Sequence, residues 1–143
     1  MKNIKVLVPS GVLGLGFDLE ALKVGIKNKP DIISIDGGST DSGPASLGSG
    51  TSKYSRAAIK SEWKVLMKAR EELCVPLVIG SCGTCGTNSM VDWMEAITIE
   101  LAKELGQSLK VAKLYCEQDK EFIKKKFSIQ QNTSFRSCSF FRF

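Results

Sequence analysis

The sequence contains no histidine. That absence removes Ser-His-Asp and Cys-His nucleophile activation, imidazole metal ligation and imidazole acid–base work together. Any chemistry must come from carboxylates, lysine, tyrosine, thiols or backbone amides. Long apolar runs are missing too. None approaches the roughly 18 to 20 residues a membrane span needs, so no membrane partner is expected. The opening Met1-Lys2-Asn3 leads straight into a strand-like run. It has neither the apolar core nor the small-residue cleavage site of a secretory signal, and a cytoplasmic location is expected. Five cysteines, Cys74, Cys82, Cys85, Cys116 and Cys138, make an odd count, which argues for reduced thiols rather than a disulfide framework.

Charge is unevenly spread. Residues 1–120 hold 15 Lys and Arg against 14 Asp and Glu, whereas residues 121–143 hold 5 against 1. The formal charge of +5 therefore belongs to the tail. A nucleic-acid footprint clusters basic residues on one face of the folded part, so no nucleic-acid partner is expected.

What is present is one domain's length, 143 residues, with 43% hydrophobic residues, enough for a real core. Ile4 to Val8, Ile32 to Ile35 and Pro76 to Ile79 are short apolar, β-branched runs that read as buried strands. Lys110 to Tyr115 gives a weaker fourth. Between them lie helical patterns. Asp18 caps Leu19, Leu22 and Ile26, and Asn28-Lys-Pro30 stops that helix. Ile59, Trp63, Leu66, Met67 and Leu73 recur at helical spacing. Asn88 or Ser89 caps Val91, Met94, Ile97, Leu101 and Leu105, with Gly106 at the end, and a short helix follows to about Phe127. Strand–helix alternation predicts an α/β fold: a parallel sheet of about four strands with helices on both faces, a Rossmann-like three-layer arrangement.

In such sheets the strand-to-helix loops emerge at the carboxyl edge, where ligands bind. Here those loops are the glycine- and hydroxyl-rich ones. Ser10, Gly11 and Gly14 lie in Ser10-Gly-Val-Leu-Gly-Leu-Gly16, where a tight turn and an anion-binding loop are equally good readings. The order is not G-x-G-x-x-G, so the dinucleotide fingerprint is absent. Asp36, Gly37, Gly38, Ser39, Thr40, Asp41 and Ser42 follow the second strand. Asp36 and Asp41 are candidate acid–base groups or ligands for a divalent metal, against turn and capping roles for each. Thr51, Ser52, Lys53, Tyr54 and Arg56 precede a helix and offer hydroxyls and positive charge to a phosphate or carboxylate. Ser81, Cys82, Gly83 and Thr84 lie in Gly80-Ser-Cys-Gly-Thr-Cys-Gly86. This loop has three readings: a ligand loop with structural thiols, a catalytic Cys82 at a helix N-terminus, or a Cys82–Cys85 redox pair. A single C-x-x-C cannot close a zinc site. Glu117 and Asp119 add carboxylates at the same edge or simply open a helix.

The tail, residues 128–143, is Ser, Phe, Gln and Arg in no periodic order and is expected to be disordered. It follows Lys124-Lys-Lys126, which lysine codons can encode as an A-rich slippage site. The expectation is a frame lost near Phe127, leaving residues 1–127 as the α/β domain; the alternative is a genuine extension.

Residues 6–18 (Val-Leu-Val-Pro-Ser-Gly-Val-Leu-Gly-Leu-Gly-Phe-Asp), 35–44 (Ile-Asp-Gly-Gly-Ser-Thr-Asp-Ser-Gly-Pro), 50–56 (Gly-Thr-Ser-Lys-Tyr-Ser-Arg) and 79–84 (Ile-Gly-Ser-Cys-Gly-Thr) together resemble the acyclic terpene utilisation AtuA-like family. The resemblance spans residues 1 to about 127 and implies the N-terminal portion of a longer catabolic protein. It implies an acyl-CoA thioester intermediate of terpenoid breakdown as substrate, and puts emphasis on Asp36, Asp41, Lys53, Tyr54 and Cys82. The resulting expectation is a small anionic ligand, a CoA thioester or a divalent metal at the loops, and a lyase, hydratase or hydrolase type of activity. A non-catalytic binding or assembly module is the alternative, and homo-oligomerisation stays open.

Overall fold

A computed structural model describes residues 3–9, 11–38 and 44–132, with 129–132 as backbone alone. Three of the apolar runs become parallel strands, β1 (Val6–Leu7), β2 (Ile32–Asp36) and β3 (Leu77–Gly80), in the order β1-β2-β3. Val6 pairs with Ile32, and Ile33 with Leu77. Helix α1 (Leu19–Lys27) starts where the Asp18 carboxylate accepts the amides of Glu20 and Ala21 at 2.8 and 3.1 Å. Such a cap stabilises a helix by about 1 kcal/mol. A short helix, α2 (Ala45–Ser49), interrupts the long polar stretch, and α3 (Arg56–Leu73) follows behind a Ser55 cap. Helix α4 (Asn88–Leu105) is capped by Thr87, one residue before the expected Asn88 or Ser89. Thr87 has the extended backbone a cap requires, while Asn88 is already helical. Gly106 ends α4 in the left-handed conformation, φ 65°. Among the described residues no helix is long and apolar enough to cross a membrane.

One core forms. Leu22 of α1, Ile35 of β2, Ile59 and Leu66 of α3, and Ile97 and Leu101 of α4 share a single cluster, with Leu7, Leu77 and Ile79 packed against it. The inward strand residues all lie on one side of the sheet. On the other side Val6, Val8 and Val78 are 56%, 60% and 45% exposed. Among the described residues the packed helices thus cover one face, not the two expected. The reason is topological. Right-handed crossovers that always step in the same direction deposit every connecting helix on the same face.

The expected fourth strand also differs. Lys110 to Tyr115 has no regular secondary structure and does not pair with the sheet. Its side chains hold it against α4: the Lys113 ammonium reaches Asp92 at 2.9 Å and Glu95 at 2.6 Å, and the Tyr115 hydroxyl donates to Asp92. The last helix, α5 (Lys120–Asn132), runs five residues into the stretch expected to be irregular; 133–143 lie outside the described residues.

Helices α3 and α4 are also joined by charge. Arg56 pairs with Glu100 at 2.6 Å, Lys60 with Glu100 and Glu104 at 2.6 and 2.5 Å, and Lys64 with Glu104 at 2.8 Å. The Lys60 hydrogen bond, with Lys64 behind it, lowers the Glu104 carboxyl from 4.5 to about 2.

Candidate functional site

The loops after β1, β2 and β3 meet. The Leu13 amide donates to the Asp36 carbonyl at 2.8 Å, tying the first loop to the end of β2. The Gly37 amide donates to the Gly80 carbonyl at 2.7 Å, and the Gly37 carbonyl accepts the Thr84 amide at 3.2 Å. The Thr84 hydroxyl then accepts the Lys53 amide at 3.2 Å, drawing in the chain before α3. The expected convergence at the carboxyl edge is therefore present, and Thr84 is its pin.

Two glycines make the knot possible. A Cβ on Gly38 would stand 1.9 Å from the Thr84 Cα, closer than any two carbons pack. Gly14, at φ +105°, lets the backbone pass Tyr54, whose Cβ would lie 2.7 Å from an added side chain. The β3 loop carries further strain: Ser81 and Thr84 hold φ of +46° and +70° without being glycine, a conformation of roughly 1–3 kcal/mol each that clusters at functional positions.

The candidate residues separate into three groups. Asp36 is exposed at the rim, with one oxygen accepting the Gly38 amide at 3.0 Å. The exposed Lys53 ammonium stands 5.9 Å from the Tyr54 ring centroid, Ser81 is half-buried, and Gly11 and Thr51 are exposed. These remain accessible. A second group is consumed by the fold. Thr84 is 2% exposed, and Gly37, Gly38 and Gly83 are buried. The Ser52 hydroxyl folds onto the Tyr54 backbone, while Arg56 is committed to Glu100. Ser10, Ser39, Thr40, Asp41 and Ser42 form the third group and lie outside the described residues.

Cys82 belongs with the consumed residues. Its side chain is 8% exposed and part of the core cluster, and burial pushes its thiol above the ordinary range. That environment disfavours the thiolate on which a nucleophile depends. Cys85 is also free and buried, its sulfur 3.4 Å from the Thr87 hydroxyl. Among the described residues no three carboxylate or thiol side chains are grouped to hold a metal ion.

Two anions are already at the loops, and both are the protein's own. The Glu62 carboxylate accepts the Gly14 amide at 2.6 Å and the Gly16 amide at 2.8 Å, one oxygen for each. Glu117 accepts the Asn88 amide at 2.7 Å in the first turn of α4. The sequence marks Glu117 as a carboxylate near the edge but gives no local sign of Glu62, which lies 46 to 48 residues from its partners. Comparison with family models, curated proteins and solved structures finds no match to this chain.

Proposed function

We propose that the carboxyl edge binds a small anionic metabolite, with Lys53 meeting its negative charge and Asp36 serving as acid, base or metal ligand. The observation that carries this reading is the Thr84 pin. It brings an exposed carboxylate and an exposed ammonium, from loops 17 residues apart in the chain, to one strained rim. The resemblance of the loop motifs to the AtuA-like family extends the reading to part of a catabolic enzyme acting on an acyl-CoA intermediate of acyclic terpene degradation. The same proposal takes the three strands as part of a four-stranded, Rossmann-like sheet with helices on both faces. Parallel sheets are covered on both sides, and the apolar residues left exposed on β1 and β3 support this.

Titration of the full chain with phosphate, CoA and acyl-CoA should raise its melting temperature in a saturable way. Asp36→Asn should abolish turnover of an accepted substrate while the thermal transition stays within about 2 °C of the parent. Absence of any ligand-dependent stabilisation would remove the proposal.

A second reading is a non-catalytic binding or assembly module. It is favoured by the Glu62 carboxylate in the first loop and by the protonated, core-packed Cys82. It predicts binding that Asp36→Asn leaves intact, with no turnover in either protein.

A further inference from the structure

β3 is an edge strand with an open side. The Ile33 amide donates to the Pro76 carbonyl, and the Gly37 amide to the Gly80 carbonyl. Even-numbered residues of β3 therefore turn their backbone groups toward β2. In a strand the N–H and C=O of one residue share a side and alternate between neighbours, so Leu77 and Ile79 direct theirs outward. Among the described residues only β2 pairs with β3.

Outside that edge lies a cavity of about 740 Å³. Residues 75–79 form one wall, residues 109–114 the other, and Trp63, Met67 and Met94 the floor. One wall is a row of main-chain donors and acceptors, which suits an incoming strand. The facing segment has the composition of a strand, and Leu109 already anchors its start in the core. Its Val111 and Leu114 are 48% and 80% exposed. What keeps it outside is a set of side-chain contacts to α4, from Lys113, from Tyr115, and from Glu117 to the Asn88 amide.

We propose that residues 110–115 are a detachable fourth strand of this chain: the cavity beside β3 is its seat, and Glu117, together with Lys113 and Tyr115, is the latch that holds it off. Seating satisfies the Leu77 and Ile79 backbone groups and turns one of Val111 and Leu114, which stand on opposite faces of a strand, onto the covered side of the sheet. Release of Glu117 also uncovers the first-turn amide of α4 beside the β3 loop. The inference deepens the four-strand reading above and rests on it.

Amide hydrogen exchange on the full chain separates the two. Relative to the parent, Glu117→Ala should slow exchange at Leu77 and Ile79 by up to about tenfold, the value of one charged hydrogen bond to an amide. Adding Val111→Pro and Ala112→Pro, which remove donors of either strand parity, should abolish that gain. Equal protection at both amides with and without Glu117→Ala overturns the latch. Equal exposure in every variant overturns the seat and the fourth strand with it. Protection that grows with protein concentration assigns the slot to a second copy and refutes the proposal as stated.

Discussion

On one face of the sheet Ile33 and Ile35 are buried, Ile35 within the core shared with α1, α3 and α4, while on the other Val6 and Val8 stand mostly in solvent. The residue types are the same. What differs is the path of the chain, because a sequential β1-β2-β3 order with right-handed crossovers returns the connecting helices α1 and α3 to one side. An apolar residue in a parallel strand therefore announces a sheet, but not which of its faces will be covered.

Six substitutions, one of them a control, would break or sharpen this contrast. The largest effect is expected at the loop knot that closes the covered side. Gly38→Val drives a side chain into the Thr84 backbone and should cost 3 kcal/mol or more, on the order of the worst overpacked sites. Gly48→Ala, with open space around it, serves as the control, and urea midpoints of the two give the comparison. Next, Ile33→Ala on the covered face should lose about 2–5 kcal/mol, whereas Val8→Ala on the bare face should stay within about 0.5 kcal/mol. A loss at Val8 as large as that at Ile33 would mean that something covers the second face in solution.

A smaller effect is expected at the first loop. Glu62→Ala leaves the Gly14 and Gly16 amides without their acceptor and should cost about 1–2 kcal/mol. A loss below about 0.5 kcal/mol would show that the loop keeps its shape unaided. The smallest effect concerns the α3–α4 charges, which lie at the surface and are individually weak. The folded-state carboxyl of Glu104 is held low by Lys60 and Lys64, so its contribution is complete above the ordinary 4.5. It fades as pH falls toward about 2. Glu104→Gln should flatten the stability profile across that interval, and the same slope should weaken in high salt.

Much of the architecture was legible in the residues. Asp18 with Pro30 bracketed α1, the Ile59-Trp63-Leu66 spacing marked α3, and three β-branched runs marked the strands, because these signals are local. The gathering of the glycine loops also followed, since parallel topology leaves them no other edge. Glu62 could not be foreseen. Nothing near residue 62 indicates that its side chain will reach Gly14 and Gly16, a contact created only when α3 packs beside β1's loop. The segment 110–115 misleads for a related reason. Its composition is that of a strand, yet Asp92 and Glu95, distant in sequence, compete for Lys113 and Tyr115. For Cys82 the sequence left reactive and structural readings open, because its exposure depended on packing by residues such as Met94 and Trp63.

Glu62 and Trp63 are consecutive on α3, so one turn of that helix serves both the first loop and the core. An anion that took the carboxylate's place would have to push Glu62 aside, while the buried Trp63 indole stays fixed by its hydrogen bond to Thr98. That turn links the shape of the first loop to the packing of α3 against α4.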